Sequence, residues 1–143
     1  MGPFVEITRR EEFSASHRLH NPDFSDEKNR ELYGLCNNPN GHGHNYELEV
    51  TVRGPVPSDT GMVMNLTDLM AILREKILPV VDHKHLNHDV PFLAGVIPTA
   101  ENIAVQIWEQ IVPEVSRFEG CRLHRLRLYE SRNNFVEYSG PEE

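Results

Sequence analysis

Apolar and polar positions alternate with period two towards both ends of the chain and recur with a period near 3.6 in its middle. That change of rhythm predicts strands flanking helices. From Phe4 to His17, Val5 and Ile7 alternate, then Phe13, Ala15 and His17, which reads as a strand with a bulge near Arg10 where the phase slips. From His42 to Arg53 the alternation is unbroken, with His42, His44, Tyr46, Leu48, Val50 and Val52 on one face. A turn rich in Pro, Gly and Asp (Gly54 to Gly61) leads to Leu66, Leu69, Met70, Leu73 and Ile77 at helical spacing. Asn65 and Thr67 are its candidate caps, and Pro79 closes it. A second helix is signalled by Thr99 as cap and by Ile103, Ile107 and Ile111, ending at Pro113. Leu126, Leu128 and Glu130 then share a strand face, and a strand over Phe135 to Tyr138 follows a turn at Arg132-Asn133-Asn134. The expected fold class is α+β, in the order ββααββ: an antiparallel four-stranded sheet with two helices on one face, in a single domain over residues 1–143. Two segments stand outside the pattern. Arg18 to Gly41 reads as a long loop with a short helix-compatible piece from Asp26 to Tyr33, and Asp82 to Asp89 as a polar, His-rich loop.

Composition narrows the function classes. The 143 residues carry 14 basic and 22 acidic side chains, a formal charge of −8, and no basic block. Nucleic acid is therefore a poor partner, because its binding draws on clustered positive charge. No apolar run reaches membrane-spanning length, and the first residues have neither the basic start nor the apolar stretch of a secretion signal. The expected location is cytoplasmic. In that reducing compartment Cys36 and Cys121 read as free thiols, Cys121 as a small buried hydrophobe.

Eight histidines are the most informative feature. His42 and His44 stand two apart on a strand, so both rings leave the same face at a spacing that can place two nitrogens on one metal ion. His17, at the end of the first strand, is placed to join them if the first two strands pair. Three imidazoles with one open position make the zinc arrangement of a catalytic site. Cys36, six residues before His42, lies in a polar loop where a nearby dication would favour its thiolate, as ligand or as base. Asp82 precedes His83, and an Asp beside a His can orient the ring, although adjacent residues need a turn to touch. His85 and His88 read as solvated loop residues. Glu130 faces the side of Leu126 and Leu128, where a carboxylate needs a ligand or a cation. Glu101 fits the helix dipole of the second helix.

Six segments in order carry a resemblance over nearly the whole chain: Phe13-Ser14-Ala15-Ser16-His17, Cys36 through Tyr46, Gly61 through Leu66, Asp82 through Asn87, Thr99 through Asn102, and Tyr129-Glu130-Ser131. Together they resemble the 6-pyruvoyl-tetrahydropterin synthase family. The resemblance implies the tunnelling fold, assembled as a homohexamer of two stacked trimers with active sites between subunits. It implies conversion of 7,8-dihydroneopterin triphosphate to 6-pyruvoyl-tetrahydropterin with loss of triphosphate, on the route to tetrahydrobiopterin. It further implies Zn2+ on His17, His42 and His44, Cys36 as proton acceptor, Asp82 and His83 as a proton relay reaching Cys36 from a neighbouring chain, and Glu130 as pterin anchor, with Thr99 and Glu101 beside the substrate. Ala100 departs from a family pattern of two threonines. Arg18, Lys28 and Lys84 are candidate cations for a triphosphate.

Two rival readings carry different expectations. The sister activity, 6-carboxy-tetrahydropterin synthase of deazapurine synthesis, shares the zinc histidines and base, but its bacterial forms hold the cysteine closer to the His-Gly-His. The five residues between Cys36 and His42 favour the pyruvoyl enzyme. A non-catalytic zinc protein would instead use Cys36 as a fourth ligand that closes the shell.

Overall fold

Two uninterrupted fourteen-residue strands set the frame of the molecule. The structure is a computed structural model that describes residues 2–142. Its elements are β1 (Phe4–His17), α1 (Asp26–Tyr33), β2 (His42–Pro55), α2 (Leu66–Lys76), α3 (Leu78–Val81), β3 (Lys84–His85), α4 (Ala100–Val115), β4 (Arg122–Ser131) and β5 (Asn134–Tyr138). β1 and β2 pair antiparallel without a slip, from Phe4 opposite Pro55 to His17 opposite His42.

The bulge expected near Arg10 is therefore absent. All odd-numbered residues of β1 share one face, and Arg9 and Glu11 occupy it where apolar residues were expected. Glu11 is only 9% exposed, and its Oε1 accepts from Arg9 Nε and Nη2 (3.0 and 2.8 Å) and from Arg74 Nε on α2 (3.1 Å). An inward ion cluster thus interrupts the apolar pattern without shifting the register. The irregularity lies instead in β4, opposite Thr51 and Val52, where His124 is the extra residue. It lets Leu123 and Leu126, three apart, both pack on the core.

The sheet has five strands in the order β3-β1-β2-β4-β5, one more than expected. The additional strand β3 is two residues long and runs parallel to β1, opposite Ala15 and Ser16. Backbone bonds create it: Ser14 O accepts from His83 N (2.6 Å) and Ser16 O from Leu86 N (2.7 Å). Helices α2 and α4 cover one face, setting Leu69, Leu73, Ile103, Ile107 and Ile111 against Tyr46, Leu48, Val50, Leu126 and Leu128, all fully buried. Each such side chain contributes about 1.5–3 kcal/mol, so this layer holds the strands in place.

Both prolines expected to end helices act one step later. Pro79 opens α3, and α4 runs through Pro113 to Val115, with Ser116 Oγ donating to Val112 O at 2.8 Å. The helix-compatible piece after β1 does form α1, with Ser25 Oγ accepting from Lys28 N at 3.1 Å. The uncovered sheet face carries Arg10, Glu47, Glu49, Arg127 and Glu137 in alternating charge.

Candidate metal centre and active site

The unbroken β1–β2 register delivers three imidazoles to one spot. His17 stands directly opposite His42, Ala15 opposite His44, and the small alanine leaves room for the rings. One nitrogen from each of His17, His42 and His44 lies within 4.8 Å of the others. His17 Nε2 and His42 Nε2 are 3.2 Å apart. Nitrogens each about 2.0–2.1 Å from one zinc ion stand about 3.3 Å apart at the tetrahedral angle, so this pair already has the spacing of two ligands.

Hydrogen bonding points the same way. His17 is fully buried, and its Nδ1–H donates to Pro98 O at 2.8 Å, which leaves Nε2 bare and aimed at the cluster. His44 Nε2 and His42 Nδ1 are buried without a hydrogen-bond partner. An orphaned buried nitrogen costs about 1–3 kcal/mol, and a dication between the rings would relieve it at His44. Burial is the largest influence on both His17 and His44, and it lowers their proton affinity although the Glu130 charge pulls the other way. Both are thus biased to the neutral, ligating form. The donor set fits zinc.

Glu130 projects from the inner face of β4 beside these rings, 27% exposed, with Oε1 3.7 Å from His44 Nε2 and Oε2 4.0 Å from His17 Nε2. It is an inward carboxylate on the face of Leu126 and Leu128, as its position in the alternation indicated. Tyr46, fully buried beneath the cluster, places its hydroxyl 3.3 Å from His17 Nδ1. Burial keeps that hydroxyl protonated, and the charges of Glu130 and Cys36 add to the effect.

Cys36 lies in a 3-10 turn, Gly34–Asn37, and is half-buried. The turn is bolted to the chain just beyond His17. Leu19 N donates to Cys36 O (2.8 Å), and the buried Asn37 amide donates to Leu19 O (2.7 Å) and meets His20 Nδ1 (3.0 Å). Cys36 is not among the ligand atoms of the histidine cluster. Gly41 leads the turn into β2 at φ +76, with His17 O and His85 Nε2 so close that a Cβ would stand 3.0 and 3.1 Å from them. A side chain at position 41 would be strained by the positive φ and would press on the His17 carbonyl.

Asp82 and His83 meet each other, Oδ2 to Nδ1 at 3.0 Å. The turn that adjacent residues require is supplied by His83 itself, the one non-glycine residue with positive φ (+61) among those described. Asp82 Oδ1 accepts from Ser14 N at 2.9 Å, and this bond first, with His83 second among the stabilising contacts, holds the carboxyl below its ordinary range. The dyad is thereby attached to β1 three residues before His17, about 10 Å along the strand. His83 borders an open cavity of about 420 Å³ over Ser14, Gly43, His44 and Asn45, and the hydrogen bonds of the dyad among the described residues run to Ser14 and within the pair.

Thr99 caps α4 by accepting from Asn102 N (3.2 Å), Ala100 is buried, and Glu101 is exposed in the first turn. His85 and His88 stack at 4.4 Å, and His85 is half-buried, with its Nδ1 accepting from Asn87 N (3.2 Å). Two contributors were missed by sequence reading. Pro98 acts through a backbone carbonyl distant in the chain, for which no signal exists; Tyr46 was visible on the His42 and His44 face but was given no role.

A family model described as 6-pyruvoyl tetrahydropterin synthase matches residues 6–141. The 6-pyruvoyl tetrahydrobiopterin synthase of Poecilia reticulata is 50% identical over 134 residues, 94% of this chain and 89% of that protein. The enzyme of the same name from Homo sapiens is 49% identical over 136 residues, 95% and 92% of the two chains. The solved structure of Caenorhabditis elegans 6-pyruvoyl tetrahydropterin synthase superposes with a TM-score of 0.89 at 36% identity, covering 98% of each chain. A 6-carboxy-5,6,7,8-tetrahydropterin synthase from Rickettsia typhi is more distant, 28% identical over 148 residues, 93% and 99% of the two chains. By sequence along nearly its whole length and by fold, the chain belongs to the 6-pyruvoyl tetrahydropterin synthase family of enzymes.

Proposed function

We propose that this chain is a zinc-dependent lyase that converts 7,8-dihydroneopterin triphosphate to 6-pyruvoyl-tetrahydropterin with elimination of triphosphate, in tetrahydrobiopterin synthesis. The observation that carries the reading is the convergence of three imidazole nitrogens, one of them buried and unpartnered, in a chain of this family. His17, His42 and His44 would hold the zinc, which when bound supplies Lewis-acid polarisation of the substrate's side-chain hydroxyls and so acidifies the adjoining C–H bonds.

The remaining chemistry belongs to the chain. Cys36 Sγ accepts the proton from carbon, a role compatible with its place outside the histidine cluster. Asp82 orients His83 by the 3.0 Å contact, and the pair returns protons to the reacting carbons. Glu130 accepts two parallel N–H bonds from the pterin ring edge and decides which carbon faces the cysteine. Pro98 and Tyr46 hold His17 in register, while Thr99 and Glu101 stand at the mouth of α4 beside the ring.

The expected assembly is a cytoplasmic homohexamer, two trimers stacked, in which the dyad of one chain serves the Cys36 of another. Two features support it: β3 covers only Ala15 and Ser16 of the β1 edge, and one face of the sheet bears charged residues in place of helices. No helix among the described residues is long and apolar enough to cross a membrane. The direct test supplies dihydroneopterin triphosphate anaerobically to the zinc-loaded protein. Triphosphate with 6-pyruvoyl-tetrahydropterin is the expected product pair; acetaldehyde with a carboxylated pterin would assign the sister activity instead.

A further inference from the structure

Most arginines of this acidic chain are neutralised where they stand. Arg9 and Arg74 meet Glu11, Arg10 meets Glu47 and Glu49, Arg125 meets Glu6, and Arg127 meets Glu137. Arg18 and Arg30, like Arg53, Arg122 and Arg132, have no carboxylate within ion-pair distance among the described residues, and these two line one cavity of about 400 Å³. Arg18 Nε donates to Asn37 O at 3.0 Å, which pins the guanidinium and, among the described residues, leaves its two terminal NH2 groups without a partner. The cavity wall is completed by Gly34, Leu35 and Asn38. Its wall is next in the chain to two of the groups given roles above: Arg18 follows His17, and Gly34, Leu35 and Asn37 flank Cys36.

We infer that this cavity seats the polyphosphate tail of the substrate, with Arg18 and Arg30 as its anion-binding residues. The inference rests on the proposed function and deepens it. Two guanidinium forks, the Arg18 one pinned by Asn37 and the Arg30 one on an exposed helical position, match phosphate oxygens bidentately, and at contact distance they outweigh the general field of a chain with net charge −8, which salt screens beyond about 8 Å. The other cations are placed less well: Lys28 lies over the Phe24 ring at 3.9 Å, and Lys84 borders the separate cavity beside His83. Asp26 is the one like charge in the wall and sets a limit on affinity.

The test uses the zinc-loaded full chain and inorganic tripolyphosphate as probe, by calorimetry and as an inhibitor of turnover. Arg30→Gln, on an exposed helical position, and Arg18→Gln each weaken tripolyphosphate about tenfold and raise KM for dihydroneopterin triphosphate by a similar factor. Affinity for dihydroneopterin, which lacks the tail, stays unchanged, and Asp26→Asn tightens tripolyphosphate a few-fold. Tripolyphosphate binding that is indifferent to both arginines in a protein that still releases triphosphate would overturn the subsite alone. A wild-type protein that binds neither probe and releases no triphosphate would overturn the functional reading as well. Because Arg18 also braces the Cys36 turn through Asn37, Arg30→Gln is the decisive variant, and Arg18→Lys, which keeps the charge, restores part of the affinity lost in Arg18→Gln.

Discussion

Two polar clusters sit on the core face of the same pair of strands, and they solve the burial problem in opposite ways. At Glu11 the carboxylate is closed off by three N–H donors from Arg9 and Arg74. Six residues further along β1, His17, His42 and His44 bring nitrogens together with no counter-ion in hydrogen-bonding range and leave His44 Nε2 among them unpartnered. A satisfied buried cluster is structural; an unsatisfied one with converging lone pairs marks a place that a ligand completes. Glu130 sharpens the contrast, because at 3.7 and 4.0 Å it stands too far from the rings to complete them itself.

Substitutions at the two clusters should therefore separate function from stability. The largest effect is expected from His44→Ala, which removes an unpartnered ligand nitrogen: zinc is lost, triphosphate release falls by at least about 10³-fold, and the apo fold is retained. Metal analysis and a phosphate-release assay on the same preparation check this. Cys36→Ala lowers turnover by about 10²–10⁴-fold with zinc still bound, since the thiol acts as a base and not as a ligand. Loss of the metal in that variant would turn the reading towards a structural zinc site. Zinc itself, at about a thousand times its Kd, stabilises the wild-type protein by about 4 kcal/mol, read as a rise in Tm that is absent in His44→Ala.

Glu11→Ala reverses the pattern. It costs about 2 kcal/mol, a fall of roughly 4–8 °C in Tm, and leaves zinc stoichiometry at one per chain, because Arg9 and Arg74 can return to water. The smallest effect is on pH dependence. His17 and His44 have proton affinities below that of a free imidazole, so below a pH of about 6.5 the unfolded chain binds protons that the folded chain resists. The metal-free protein loses stability as pH falls through that point, until the folded-state values are reached; thermal melts between pH 5 and 8 in the presence of a chelator measure it.

Much of this was legible in the sequence, and the failures are physical ones. Alternation from His42 to Arg53 located β2, and with it the common face of His42 and His44, because a strand of period two leaves no other arrangement. The inward turn of Glu130 followed from Leu126 and Leu128 in the same way. At Arg9 and Glu11 the same rule misled, since a core-face ion cluster looks like a slip of register until Arg74 is seen arriving from α2. β3 left no trace, as two residues held by backbone bonds alone have no side-chain rhythm. The Asp82–His83 contact depended on a positive φ that a histidine rarely adopts, and the partner of His17 is a carbonyl eighty-one residues away. Local pattern reports which face a side chain occupies; it does not report which distant backbone atom will meet it there.

The convergence of His17, His42 and His44 on one metal ion is tested most directly by titrating zinc into chelator-stripped wild-type and Cys36→Ala protein in a calorimeter. One ion per chain in both, with the two affinities within a few-fold, is the expected result. No binding in the wild type, or binding that disappears with the cysteine, would contradict it.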